Sequence, residues 1–63
     1  MKINTGRIKA ELAAKGMMKE VAAKEAGISW NKFNRILSEG KCDPISLGRL
    51  ARVLGVEPWE LVS

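Results

Sequence analysis

The sequence contains no histidine and a single cysteine, Cys42. One cysteine cannot form a disulfide within the chain, and without histidine partners it cannot build a structural zinc site. The sequence also lacks a nucleophile-and-base pattern and a phosphate-binding glycine loop. We therefore expect no enzyme, metal site, cofactor or small-molecule ligand, and we interpret Cys42 as an incidental thiol in a loop.

Long apolar runs are absent as well. No segment is apolar enough to span a membrane, and residues 1–9 lack the apolar stretch of a signal peptide, so we expect an intracellular protein. Apolar residues nevertheless make up 46% of the chain, which is typical of globular proteins. The 63 residues provide one domain, 1–63, whose small core gives a net stability of roughly a few kcal/mol.

The chain is basic, with 11 lysine and arginine residues against 7 acids and a net charge of +4. Within residues 1–19 the only acid is Glu11, and the basic residues there are Lys2, Arg7, Lys9, Lys15 and Lys19. This excess favours an anionic partner, with nucleic acid first. Small soluble domains also carry such a charge for solubility alone, so charge by itself leaves both interpretations open.

Apolar residues recur at helical spacing, and glycines separate the helical segments. This pattern predicts a compact all-α bundle of five short helices. Their expected ranges are Thr5–Lys15, about Met18–Ala26, Trp30–Glu39, a fourth helix beginning at Asp43-Pro44, and a short last one from Pro58 to about Val62.

Local signals support the third and fourth helices. Ser29 and Asp43 are good N-caps, and Ile28 and Phe33 have the spacing of a hydrophobic staple. Gly48 interrupts the fourth helix, and close approach of another helix would be a reason for it. The buried faces are predicted to contain Met18, Val21, Ala22 and Ala26 in the second helix and Phe33, Ile36 and Leu37 in the third.

The second and third predicted helices have the pattern of a helix-turn-helix. Ala23 would let the helices approach, Gly27 permits the turn, and Ile28, Phe33 and Ile36 would fill the angle between them. The phrases "KGMMKEVAAKEAGIS", "NRILSEGK" and "LARVLGVEPWELV" extend this pattern over nearly the whole chain. With them the sequence resembles the lambda-repressor/Cro-type (XRE-like) helix-turn-helix family, with the motif at about 18–39.

The resemblance implies sequence-specific binding in the major groove of double-stranded DNA. It implies a small transcriptional repressor or regulator of phage or bacterial type, acting in the cytoplasm by occupying an operator. By position, Trp30, Asn31 and Arg35 match the groove-facing residues of the recognition helix. Lys41 matches a backbone-contacting loop position, and Lys19 replaces the family's usual glutamine, which favours a phosphate contact. Met18 replaces the Ser or Thr that usually caps the second helix, and Glu11 replaces an aliphatic residue that is usual in the first helix.

The residues themselves support part of this assignment. A turn of 100° per residue places Asn31 and Arg35 opposite the apolar stripe of the third helix, where they could pair with adenine and guanine. Lys32 and Asn34 flank that face and could reach phosphates, although all four could be ordinary solvated side chains. Trp30, at the border of the stripe, could contact DNA or cover the core.

Several apolar residues are predicted to lie outside the core. Ile45 and Val53 fall opposite the core stripe of the fourth helix, and Trp59 falls outside the face of Leu61. They suggest a homodimer, at least on DNA, although Trp59 could instead fold over the core.

The alternative function is a protein-interaction module on the same fold, such as an antitoxin, adaptor or anti-repressor, which Trp30 and Glu39 keep open. RNA binding ranks third because an aromatic stacking platform is missing.

Overall fold

The computed structural model describes all residues, 1–63, and contains four α-helices. They are α1 (Thr5–Lys15), α2 (Lys19–Ala26), α3 (Trp30–Glu39) and α4 (Pro44–Leu54), followed by a 3₁₀ helix at Pro58–Leu61. The predicted all-α class is confirmed. The fifth predicted helix is a single 3₁₀ turn, and no helix in the structure is long and apolar enough to cross a membrane.

The helices begin where the sequence offers a cap. The side chains of Asn4, Ser29 and Asp43 accept hydrogen bonds from backbone N–H groups in the first turns of α1, α3 and α4, at 2.9, 3.2 and 3.1 Å. The exception is α2, where Met18 offers no capping side chain, as its replacement of Ser or Thr predicted. That helix starts with uncapped N–H groups.

The turn between α2 and α3 depends on Gly27. Its φ of 71° is left-handed, a conformation that costs residues with a Cβ about 1–2 kcal/mol. The Gly27 N–H donates to the carbonyl of Lys24, and the Ile28 N–H donates to the carbonyl of Ala23 at 2.9 Å. These bonds close α2 so that α3 begins after only three residues.

Helix α4 lies at the centre of the packing, in contact with α1, α2 and the 3₁₀ helix, while α3 packs on α2. The most completely buried large side chains come from α1, α3, α4 and the 3₁₀ helix: Ile8, Phe33, Leu50, Leu54 and Leu61. One continuous core therefore joins all of the helices.

The orientation of α2 differs from the predicted one. Met18 and Val21 are exposed, and the buried face consists of Ala22, Ala23 and Ala26. Because an alanine face brings two backbones close together, α2 packs against α4 with its small residues. The prediction that Met18 and Val21 face the core was wrong, and in α3 Leu37 is only partly buried.

The N-terminal residues join the fold by backbone pairing that the sequence patterns did not predict. Lys2 forms an isolated antiparallel bridge with Lys41, and Ile3 forms one with Val62. The Ile3 side chain is buried in the core, as is Cys42, which the sequence suggested was an incidental loop thiol. The segment 1–4 thus connects the chain after α3 to the C-terminal residues.

Gly48 has no close neighbour within the chain. A methyl group added there would meet no atom within 4 Å outside the helix's own backbone, so close packing of another helix of this chain does not explain the glycine.

Candidate nucleic-acid interface

Apolar residues on one side of α3 anchor the helix in the core. Ile28 just before the helix and Phe33 in its second turn are both buried, as the staple spacing predicted, and Ile36 follows one turn later on the same side. The Ser29 Oγ accepts a hydrogen bond from the Lys32 N–H at 3.2 Å and orients the first turn. Together these contacts determine which side of α3 faces solvent.

The solvent side of α3 carries Asn31 and Arg35, which were predicted to read bases, and Asn34, which was predicted to reach a phosphate. Asn31, Asn34 and Arg35 are exposed, while Phe33 and Ile36 are buried on the opposite side. None of these three polar side chains forms a hydrogen bond or ion pair within the chain. Their amide and guanidinium groups are therefore free to bind a partner, and the guanidinium of Arg35 has the geometry for two parallel hydrogen bonds to a base edge or an anion.

Trp30 lies at the border of this surface and is 43% exposed. Its ring centroid is 6.5 Å from that of Phe33, and the two ring planes are tilted by 40°, so one part of the indole covers the core. The remaining part faces solvent beside Asn31. Trp30 thus covers part of the core, and the rest of its ring is accessible to solvent.

A groove of about 300 Å³ separates α3 from the chain segment 41–43. Arg35 and Glu39 of α3 line one side, and Lys41 lines the other. Glu39 forms no ion pair with Arg35 or Lys41. The groove thus brings together one base-reading candidate and one phosphate-contact candidate, with Glu39 as an acidic neighbour that weakens the attraction for anions.

Lys32 lines the same groove but has a partner. Its Nζ lies 3.2 Å from Oδ1 of Asp43, and both side chains are largely exposed. Hydrogen bonds from Ser46, assisted by Lys32, hold the pKa of Asp43 well below its usual range, so this carboxylate stays charged. Lys32 must leave an exposed ion pair to contact a phosphate, and such pairs are weak.

Lys19 does not share this groove. It is exposed at the first position of α2 and lines a separate groove between α1 and α2, together with Lys9, Leu12, Met17 and Met18. A cation at a helix N-terminus is unfavourable for the helix dipole, and Glu20 in the same turn compensates for it.

Arg7 is not an unpaired cation. Its guanidinium donates to Glu11 at 2.8 Å and to Glu60 at 3.1 Å, which ties α1 to the 3₁₀ helix. The two carboxylates raise the pKa of Arg7, with Glu11 the larger cause. The guanidinium of Arg7 is therefore paired, and Glu11 serves this ion pair at a position where the resemblance implied an aliphatic residue.

Two groups of cations were missed at the sequence level. Lys24, Arg49 and Arg52 line a groove of about 200 Å³ at the end of α2, and the spacing of the two arginines on α4 was the only local signal for it. Lys2 lies beside Lys41 through the backbone bridge. No group of side chains suited to holding a metal ion is present.

The residues proposed for a dimer interface differ in exposure. Ile45 is 69% exposed in the first turn of α4, and Trp59 is 72% exposed on the 3₁₀ helix, so Trp59 does not fold over the core. Val53 is partly buried and packs against the core, which corrects its predicted position opposite the core.

Comparison of the chain with protein-family models, curated proteins and solved structures finds no significant match.

Proposed function

We propose that this chain binds double-stranded DNA in a sequence-specific manner, as a small transcriptional repressor or regulator of phage or bacterial type. It would act in the cytoplasm by occupying an operator, without a catalytic step or a cofactor. The observation that carries the proposal is the outer side of α3, where Asn31 and Arg35 are exposed and unpaired, and where Arg35 lines the same groove as the unpaired cation Lys41.

The arrangement of α2 and α3 supports a helix-turn-helix. A left-handed glycine ends α2, three residues connect the helices, and a buried staple orients α3. We interpret the four α-helices and the 3₁₀ helix as the five-helix bundle of the lambda-repressor/Cro-type family, with α3 in the major groove.

Each side chain then has a role. Asn31 and Arg35 pair with base edges, and the exposed part of Trp30 contacts a thymine methyl group or a sugar. Phosphates are contacted by Lys41 and Lys19, and by Lys32 and Asn34 at the flank of α3. These contacts position the protein, while Arg35 and Asn31 discriminate among sequences.

The proposal also includes a homodimer, at least on DNA, because a helix-turn-helix dimer reads two half-sites about one helical turn apart. Ile45 and Trp59 are the accessible apolar residues for this contact. Sedimentation of the protein with and without its DNA site measures the assembly. A monomer in both states would refute the dimer and leave the DNA contact of α3 unaffected.

The first experiment is selection from random DNA duplexes by the purified chain at two salt concentrations. An enriched, near-palindromic site supports the proposal, whereas binding without enrichment indicates attraction to the backbone only. On the selected site, Arg35→Ala should cost about 1–3 kcal/mol and relax one base position. Lys41→Ala should weaken cognate and random DNA equally. Equal losses on both DNAs for Arg35→Ala would contradict base reading.

The second candidate function is a protein-interaction module, which the exposure of Trp59 and Ile45 favours. It predicts no DNA binding even at low salt. It also predicts that Trp59→Ala, and not Arg35→Ala, abolishes capture of the protein partner.

A further inference from the structure

Lys2 and Lys41 face each other across the antiparallel bridge. The flanking hydrogen bonds run from the Ile3 N–H to the Gly40 carbonyl and from the Cys42 N–H to the Met1 carbonyl, both at 2.9 Å. This pattern defines a non-hydrogen-bonded pair, the closer of the two antiparallel arrangements, in which opposite Cβ atoms lie roughly 4.5–5.5 Å apart.

Both lysine side chains point to the same side of this bridge. Their neighbours Ile3 and Cys42 are buried, whereas Lys2 and Lys41 are exposed, as expected from the alternation of side chains along an extended chain. The two ammonium groups therefore share one solvent-facing surface at the end of α3, beside the groove that Arg35 lines.

Two like charges in such a pair repel each other. No carboxylate lies within ion-pair distance of either lysine, although the neighbouring Lys32 is paired with Asp43. Glu39 and Asp43 are the acids nearest in the chain, and neither forms an ion pair with Lys41. An anion with two accepting oxygens placed between the ammonium groups would relieve this repulsion, and the phosphodiester of a nucleic acid is such an anion.

We propose that Lys2 and Lys41 together clamp one backbone phosphate of double-stranded DNA just beyond the end of α3. This inference rests on the proposed DNA-binding function and adds Lys2, from the opposite end of the chain, to the interface. The clamp positions the protein on the duplex and reads no base.

The experiment compares Lys2→Gln and Lys41→Gln with Lys24→Gln on the selected duplex and on random DNA. Lys24 is a suitable control because it is exposed, carries the same charge and lies in the separate groove at the end of α2. Each clamp variant should weaken both DNAs equally, and the double variant Lys2→Gln/Lys41→Gln should lower the slope of log K against log salt by about 1, because the two lysines neutralise one phosphate. Lys24→Gln should leave that slope close to the wild-type value.

A duplex with single neutral methylphosphonate linkages then locates the contact. For one position of the neutral linkage, Lys2→Gln, Lys41→Gln and the wild type should bind the modified duplex with equal affinity. At that position the phosphate that both lysines contact in the wild type has lost its charge. If the two deficits disappear at different linkages, the lysines bind separate phosphates and the clamp is refuted. Equal losses for Lys2→Gln and Lys24→Gln would show an effect of net charge alone.

A measurement without DNA tests the lysine pair itself. At low salt, Lys2→Gln and Lys41→Gln should raise the Tm, and the gain should disappear at high salt as the repulsion is screened. An unchanged Tm at low salt would contradict the close pair. If the wild-type chain binds no DNA although this Tm gain is found, the proposed function fails while the lysine geometry holds.

Discussion

Replacing Gly48 by alanine should stabilise the protein. Gly48 lies in the interior of α4, and an added methyl group would meet nothing within 4 Å outside that helix's own backbone. Glycine in a helix interior is about 1 kcal/mol less favourable than alanine, because its unfolded chain has more conformational freedom to lose. No steric cost opposes this gain.

The expected change in Tm follows from the size of the chain. At about 2.1 cal/mol/K per residue, 63 residues unfold with an entropy of roughly 0.13 kcal/mol/K at the midpoint. A gain of about 1 kcal/mol therefore corresponds to a rise of about 8 °C. Thermal unfolding followed by circular dichroism at low protein concentration measures it.

Gly16 provides the matched control. An added methyl group there also meets nothing within 4 Å, but the φ of Gly16 is 63°. Alanine in this left-handed conformation costs about 1–2 kcal/mol, so Gly16→Ala should lower the Tm although space is equally available. If both variants raised the Tm, or if Gly48→Ala left it unchanged, backbone conformation would not explain how these substitutions change the stability.

Three further predictions concern the core and the charges. Phe33 is fully buried, and Phe33→Ala should lower the free energy of unfolding by about 3–5 kcal/mol. Because this loss is comparable to the whole stability of so small a core, circular dichroism of the variant should show no cooperative unfolding. A variant with the wild-type Tm would contradict this prediction. The pKa of Asp43 is lowered by hydrogen bonds from Ser46, so its charged form stabilises the fold above its ordinary pKa, and this stability is lost as the pH falls below about 4. Asp43→Asn keeps a capping side chain, and its Tm should fall less than the Tm of the wild type over the same pH range. An equal fall in both proteins would show that Asp43 is not the group responsible. Burial raises the pKa of the Cys42 thiol, so a thiol reagent at neutral pH should label it slowly in the native protein and rapidly in urea; fast native labelling would contradict its burial.

Short-range patterns accounted for the helices. The caps at Ser29 and Asp43 and the staple of Ile28 on Phe33 each involve residues within one or two turns, so they could be recognised without knowing what the helices pack against. The exposed side of α3 followed from the same information, because one strongly apolar stripe leaves a single arrangement for the polar residues.

The orientation of α2 could not be predicted in this way. Its apolar residues surround more than half of the helix, so both a face with Met18 and Val21 and a face of alanines were compatible with the periodicity. Contact with α4 selected the alanine face, since small side chains let the two backbones approach.

The remaining differences come from contacts between distant parts of the chain. Arg7 meets Glu60, and Lys2 meets Lys41, only after the helices have packed. Segment 1–4 is too short for a periodic signal, and its pairing depends on backbone hydrogen bonds that any sequence could form. Local sequence therefore accounts for where each helix begins and which side of α3 is polar. Packing decides which cations are neutralised and which stand together, because ion pairs and bridges form between surfaces that only the folded chain brings into contact.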